Sequence, residues 1–93
     1  MSVITREELY EWCKIPCDQL ETHTARKIDF RLCRDSTEMG NIMARELVDE
    51  IRMHSASGGK TRAIIPCGPS CWYEPFTALV NAEGVSLADF EVF

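Results

Sequence analysis

Ile64-Ile65-Pro66 runs straight into Cys67-Gly68-Pro69-Ser70, and a helical apolar stripe follows. An apolar run, a turn containing glycine and then a helix start is an arrangement that gathers backbone N–H groups around an anion. Gly68 permits close backbone approach and Ser70 adds a hydroxyl donor. Cys67, Gly68, Pro69 and Ser70 are therefore the candidate binding residues, with a phosphate-bearing molecule as the ligand they suit. A single glycine ahead of a helix is also the mark of a plain tight turn.

Other residues invite different chemistry. Cys13 and Cys17, with Cys67 and Cys71, form two pairs whose internal spacing is permitted in a four-thiolate zinc site. Against zinc, cysteine is among the most commonly buried small residues, and Cys13 falls in a helical stretch with Pro16 close behind. A helix N-terminus activates a thiol, so Cys67 is alternatively a reactive nucleophile. His23 and His54 have no partner at ligand or triad spacing and are expected at the surface. Asp89 and Glu91 share a strand face, but nothing nearby wires them as an acid/base pair. Trp72 and Tyr73, beside the loop, suit packing at the base of a helix better than stacking on a sugar.

Composition narrows the partners. With 93 residues the chain is long enough for one small domain, and 45% hydrophobic with 27% charged residues is globular rather than disordered composition. A net charge of −5 with scattered Lys and Arg disfavours nucleic acid, whose phosphates need clustered cations. No apolar run approaches the length of a membrane span, and the first residues lack the pattern of a signal peptide. Five cysteines without a secretion signal read as reduced thiols, which places the protein in the cytoplasm.

The elements that must position the loop follow from local signals. Thr5-Arg6-Glu7-Glu8 has the form of a capping box, opening a helix that runs through Trp12 and ends before Pro16. Asp18 to Arg26 reads as an extended arm. Lys27 to Leu32 alternates, with Ile28, Phe30 and Leu32 on one face, which predicts a half-buried edge strand. Asp35-Ser36-Thr37-Glu38 is a second capping box, and Met39, Ile42, Met43, Leu47 and Ile51 form the predicted core stripe of a helix ending near His54. Arg62 to Pro66 lacks alternation and predicts a strand covered on both faces. Pro75 belongs in a first helical turn, so a helix starts near Tyr73 or Glu74, buries Phe76, Leu79 and Val80, and stops at Gly84. Asp89 to Phe93 reads as a last strand.

Alternation of this kind predicts an α/β fold: a Rossmann-like parallel sheet with flanking helices, truncated to about three strands and three helices. The expected organisation is one partial α/β domain, with residues 1–26 as helix and arm and residues 27–93 as a βαβαβ core.

Arg62 to Ser70, continuing through Tyr73-Glu74-Pro75-Phe76-Thr77-Ala78-Leu79-Val80, resembles the first strand, phosphate loop and following helix of the glucosamine-6-phosphate deaminase/isomerase family. Ile15 to Leu20, Arg26-Lys27-Ile28 and Met43 to Leu47 resemble its longer-armed bacterial branch, and Val85 to Phe93 resembles the approach to its second core strand. The resemblance implies a phosphorylated amino sugar as ligand, aldose–ketose isomerisation with ammonia release, and no metal or organic cofactor. The family's proton-transferring Asp follows just after such a strand, so the chain is expected to lack the catalytic residues and to supply at most part of the phosphate site. Cys67 and Pro69 depart from the family's pattern, and Pro69 brings no N–H.

An unpaired apolar edge at Phe90-Glu91-Val92-Phe93 predicts a homo-oligomer. Two alternatives stand beside the enzyme-family reading: a non-catalytic interaction domain that self-associates through that edge, and a small zinc module held by four cysteines.

Overall fold

The computed structural model describes residues 3–93 in the order α1 (Arg6–Cys13), a 3-10 turn (Cys17–Gln19), α2 (Ser36–Ala56), β1 (Thr61–Ala63), α3 (Tyr73–Glu83) and β2 (Phe90–Val92). The chain forms two compact units, Met1–Leu32 and Cys33–Phe93. It is a small mixed α/β fold with a two-stranded parallel sheet.

In the first unit the capping box at Thr5 is complete. The Glu8 N–H donates to Thr5 Oγ1 at 3.1 Å, and the Thr5 N–H donates to the Glu8 carboxylate at 2.9 Å. No residue of α1 is buried, so the cap and local pairs such as Lys14–Glu11 at 2.6 Å define it more than packing does. The predicted extended arm contains the 3-10 turn. Residues 27–32 form no strand: Ile28 is 74% exposed, and Phe30 and Leu32 are exposed as well. Alternation specifies which side chains share a face, but a strand exists only where a neighbour completes its ladder. Two strands are therefore described where about three were expected.

The second unit is built on α2. Asp35 caps it, accepting from the Glu38 N–H at 2.9 Å, while Glu38 reaches the Arg34 N–H instead of closing the box. Its most buried line is Gly40, Ala44, Val48 and Ile51, of which only Ile51 belongs to the predicted stripe; Met39, Ile42, Met43 and Leu47 are half-buried. The reason is close approach. A Cβ on Gly40 would sit 2.2 Å from the Cys71 carbonyl oxygen, so the helix rests directly on backbone there. Small residues on the facing side let α2 and α3 meet closely, and Arg45 and Arg52 lock them by ion-pairing with Glu83. Gly84 ends α3 at φ 61°, the left-handed cap that glycine adopts without strain.

β1 and β2 pair in parallel with Thr61 opposite Phe90, Arg62 opposite Glu91 and Ala63 opposite Val92. The Thr61/Phe90 face carries the helices: Thr61 meets His54 of α2, and the Phe90 ring lies 6.2 Å from Phe76 of α3. The opposite face is uncovered. Glu91 there takes Lys60 at 2.9 Å and Arg62 at 3.1 Å, and Ile64 stands 86% exposed beyond them. The expectation of a strand covered on both faces therefore fails for Arg62 to Pro66. Only Thr61–Ala63 is strand, and side chains alternate between a covered and an open side.

Candidate functional site

Cys67-Gly68-Pro69-Ser70 lies between the carboxyl end of β1 and α3, the position at which ligands enter open parallel sheets. All four residues are exposed, and the Gly68–Pro69 bond is cis. Nothing lies within 4 Å of a Cβ built on Gly68, so the space over the bend is open. Among the described residues, no group accepts from the N–H of Cys67, Gly68 or Ser70, or from the Ser70 hydroxyl. The donors expected at this loop are thus exposed and unengaged within the chain.

The start of α3 contributes less. The Tyr73 N–H already donates to the Ser70 carbonyl at 3.2 Å, and the Phe76 N–H donates to the Trp72 carbonyl at 2.9 Å. Pro75 has no N–H, which leaves Glu74 as the free donor of that turn, and its own carboxylate disfavours an anion beside it. Whatever anion binding the loop performs rests on the bend itself.

The loop is anchored by Trp72. Only 9% exposed, it packs edge-on to Tyr73 at 4.8 Å and to Phe76 at 5.6 Å. The Tyr73 hydroxyl also reaches the Cys67 carbonyl at 3.5 Å. Trp72 thus has the packing role expected of it, while Tyr73 remains partly exposed beside the bend.

Sequence spacing missed one constellation. Glu50 and His54 lie one turn apart on α2, with the Glu50 carboxylate 3.4 Å from His54 Nε2 and Thr61 Oγ1 3.0 Å from His54 Nδ1. His54 is half-buried and partnered, where a partnerless surface histidine was expected. The (i, i+4) spacing of Glu50 and His54 was the available signal; the contact with Thr61 needs the fold. Acid, imidazole and hydroxyl are in series, but Thr61 is buried and stands at the amino end of β1, away from the loop. The array ties α2 to the sheet and presents no accessible nucleophile.

Charge is organised around two carboxylates. Hydrogen bonding from Arg45, with the nearby charge of Arg52, holds Glu83 below the usual carboxylate range. Lys60 foremost, and then Arg62, does the same for Glu91, which is thereby a partner in an ion pair rather than one of an acid/base couple with Asp89. The same contacts, Glu83 first and then Asp49, push the Arg45 guanidinium further up.

Among the described residues no three His, Cys, Asp or Glu side chains approach closely enough to hold a metal ion. Cys13 and Cys17 belong to one unit, Cys67 and Cys71 to the other, and all are free thiols. Among the described residues no helix is long and apolar enough to cross a membrane.

The second unit also contains an open cleft of about 650 Å³ lined by Met43 and Leu47 of α2, by residues 63–66 and by Trp72. Glu46, Asp49 and Glu50 line it as well, Asp49 paired with Arg45 and Glu50 with His54. No family model, curated protein or solved structure matches this chain.

Proposed function

We propose that this chain carries the sugar-phosphate-binding βα unit of a glucosamine-6-phosphate deaminase/isomerase-like protein, within a Rossmann-like parallel sheet. The supporting observation is the bend at Cys67 to Ser70: exposed, with free N–H donors and open space over Gly68, at the carboxyl end of a strand in a parallel βαβ unit. The ligand on this reading is a phosphorylated amino sugar, held by the bend through its phosphate. No residue among 1–93 matches the family's proton-transfer groups, so binding alone is assigned to this chain. A cytoplasmic location goes with it.

The test is thermal unfolding of the chain with glucosamine 6-phosphate, with glucose and with inorganic phosphate. Ligand at 100 times its Kd stabilises the folded state by about 2.7 kcal/mol, so glucosamine 6-phosphate is expected to raise Tm while glucose leaves it unchanged. Gly68→Val places its Cβ in open space, and is expected to keep the unliganded Tm while removing the response. No shift with either phosphate, or a shift that Gly68→Val leaves intact, refutes the reading.

A further inference from the structure

In the first unit Pro16 blocks any continuation of α1, and the 3-10 turn after it brings residues 23–27 back to the end of that helix. Between the two lies a pocket of about 340 Å³, at the small end of the range for small-molecule sites. Trp12, Ile15 and Leu20 supply its apolar lining, and His23, Arg26 and Lys27 its polar one. Ile15 and Leu20 are half-buried, while Trp12 is 46% exposed, so part of its indole is open to a ligand rather than consumed by packing.

The polar side chains of this pocket are all donors. The Ala25 N–H donates to His23 Nδ1 at 3.1 Å, which puts the proton of the neutral ring on Nε2, and no group among the described residues accepts it. The Lys27 ammonium has no ion pair or hydrogen bond among the described residues. Arg26 is the engaged member: it donates to the Ile28 carbonyl at 3.2 Å and lies 3.5 Å from the Asp29 carboxylate. Asp29 is fully solvated, and neither it nor any other Asp or Glu lines the pocket. An apolar hollow that offers a free ammonium and a free imidazole N–H, with no carboxylate to answer them, is complementary to an anion with an apolar body. A cationic ligand would meet Arg26 and Lys27 with no counter-charge.

We propose that this pocket is a binding site for a small aromatic carboxylate, with its ring against Trp12, Ile15 and Leu20 and its carboxylate on His23 Nε2 and the Lys27 ammonium. The exposed indole selects an aromatic body, since rings pair edge-to-face or offset beyond the area they bury. A carboxylate has two acceptor oxygens, one for each free donor, and the bond from Lys27 is charge-assisted. Arg26 adds attraction without a direct bond, its donors being shared with Ile28 and Asp29. The site is independent of the sugar-phosphate reading, because its residues belong to the first unit and the bend at Gly68 to the second.

The experiment is a titration of the full chain with phenylacetate, followed by two-dimensional NMR, beside parallel titrations with phenylacetamide and with acetate. Phenylacetate is expected to bind saturably and to shift the Trp12 indole N–H and the backbone amides of residues 23–27. Phenylacetamide, which lacks the charge, and acetate, which lacks the ring, are each expected to bind about tenfold more weakly or worse. Lys27→Gln alters an exposed side chain without touching the apolar lining. It is expected to weaken phenylacetate about threefold or more and to leave phenylacetamide unchanged. Trp12→Ala is expected to weaken both ring-bearing molecules. Lys14→Gln is the control: Lys14 is paired with Glu11 and does not line the pocket, so its loss should leave phenylacetate binding as in the parent. Absence of saturable phenylacetate binding, or shifts confined to residues outside 12–27, overturns the proposal. So does phenylacetamide or acetate binding as tightly as phenylacetate, or a Lys27→Gln chain that binds phenylacetate as the parent does.

Discussion

Gly40→Ala sets two physical effects against each other, and the structure decides between them. Judged as a helix interior, alanine for glycine at this position stabilises by about 1 kcal/mol. Judged by packing, the new Cβ lies 2.2 Å from the Cys71 carbonyl oxygen, 2.7 Å from its carbon and 3.2 Å from the Trp72 nitrogen. The shortest of these is about 1.3 Å inside the roughly 3.5 Å at which heavy atoms rest comfortably. The obstacle is backbone, so no rotamer change relieves it, and α2 must move off residues 71–72 or the loop must shift. Overpacking of this kind costs about 1–3 kcal/mol, and for a rigid backbone neighbour the upper part of that range applies. The net expectation is a loss of about 1–2 kcal/mol, the packing cost exceeding the propensity gain. At roughly 4–8 °C per kcal/mol for a chain of this size, Tm should fall by about 4–16 °C in a thermal melt followed by circular dichroism. Gly68→Ala is the control, because nothing lies within 4 Å of its added Cβ. A Gly40→Ala protein at least as stable as the parent refutes the claim that α2 rests on the 71–72 backbone.

Two further outcomes bear on the core and its charges. Glu83 is held below the ordinary carboxylate range by Arg45, so its contribution to stability is present above the unfolded carboxyl pKa and is lost as pH falls through the lower folded value. Glu83→Gln should therefore destabilise the chain at neutral pH, with the difference from the parent closing in acid and shrinking in high salt; denaturant melts at several pH values measure it. Ile51 is 1% exposed and Met53, on the same helix, is 56% exposed. Ile51→Ala is expected to cost about 2–5 kcal/mol and Met53→Ala to stay within about 0.5 kcal/mol, as read by urea denaturation.

The caps and breaks of this chain are legible locally, because the groups that make them are three or four residues apart. Thr5 with Glu8, Asp35 with Glu38, Pro75 in a first turn and Gly84 at a helix end all sit as their residue types require. The position of the Cys67 to Ser70 bend, after a strand and before a helix, was legible for the same reason. What periodicity left open is which apolar line of α2 faces α3. Met39 and Met43 are the more hydrophobic choice, yet Gly40 and Ala44 are buried, because closeness of backbones and not side-chain size governs that contact. Alternation at Ile28, Phe30 and Leu32 states a preference for a sheet, but a ladder needs a neighbour, and only the fold supplies or withholds one. The meeting of His54 with Thr61 likewise depends on the turn through Gly58 and Gly59 that brings β1 back along α2. Local chemistry determines the elements of this protein; distances between residues far apart in the chain determine which of their faces are covered and which are left open.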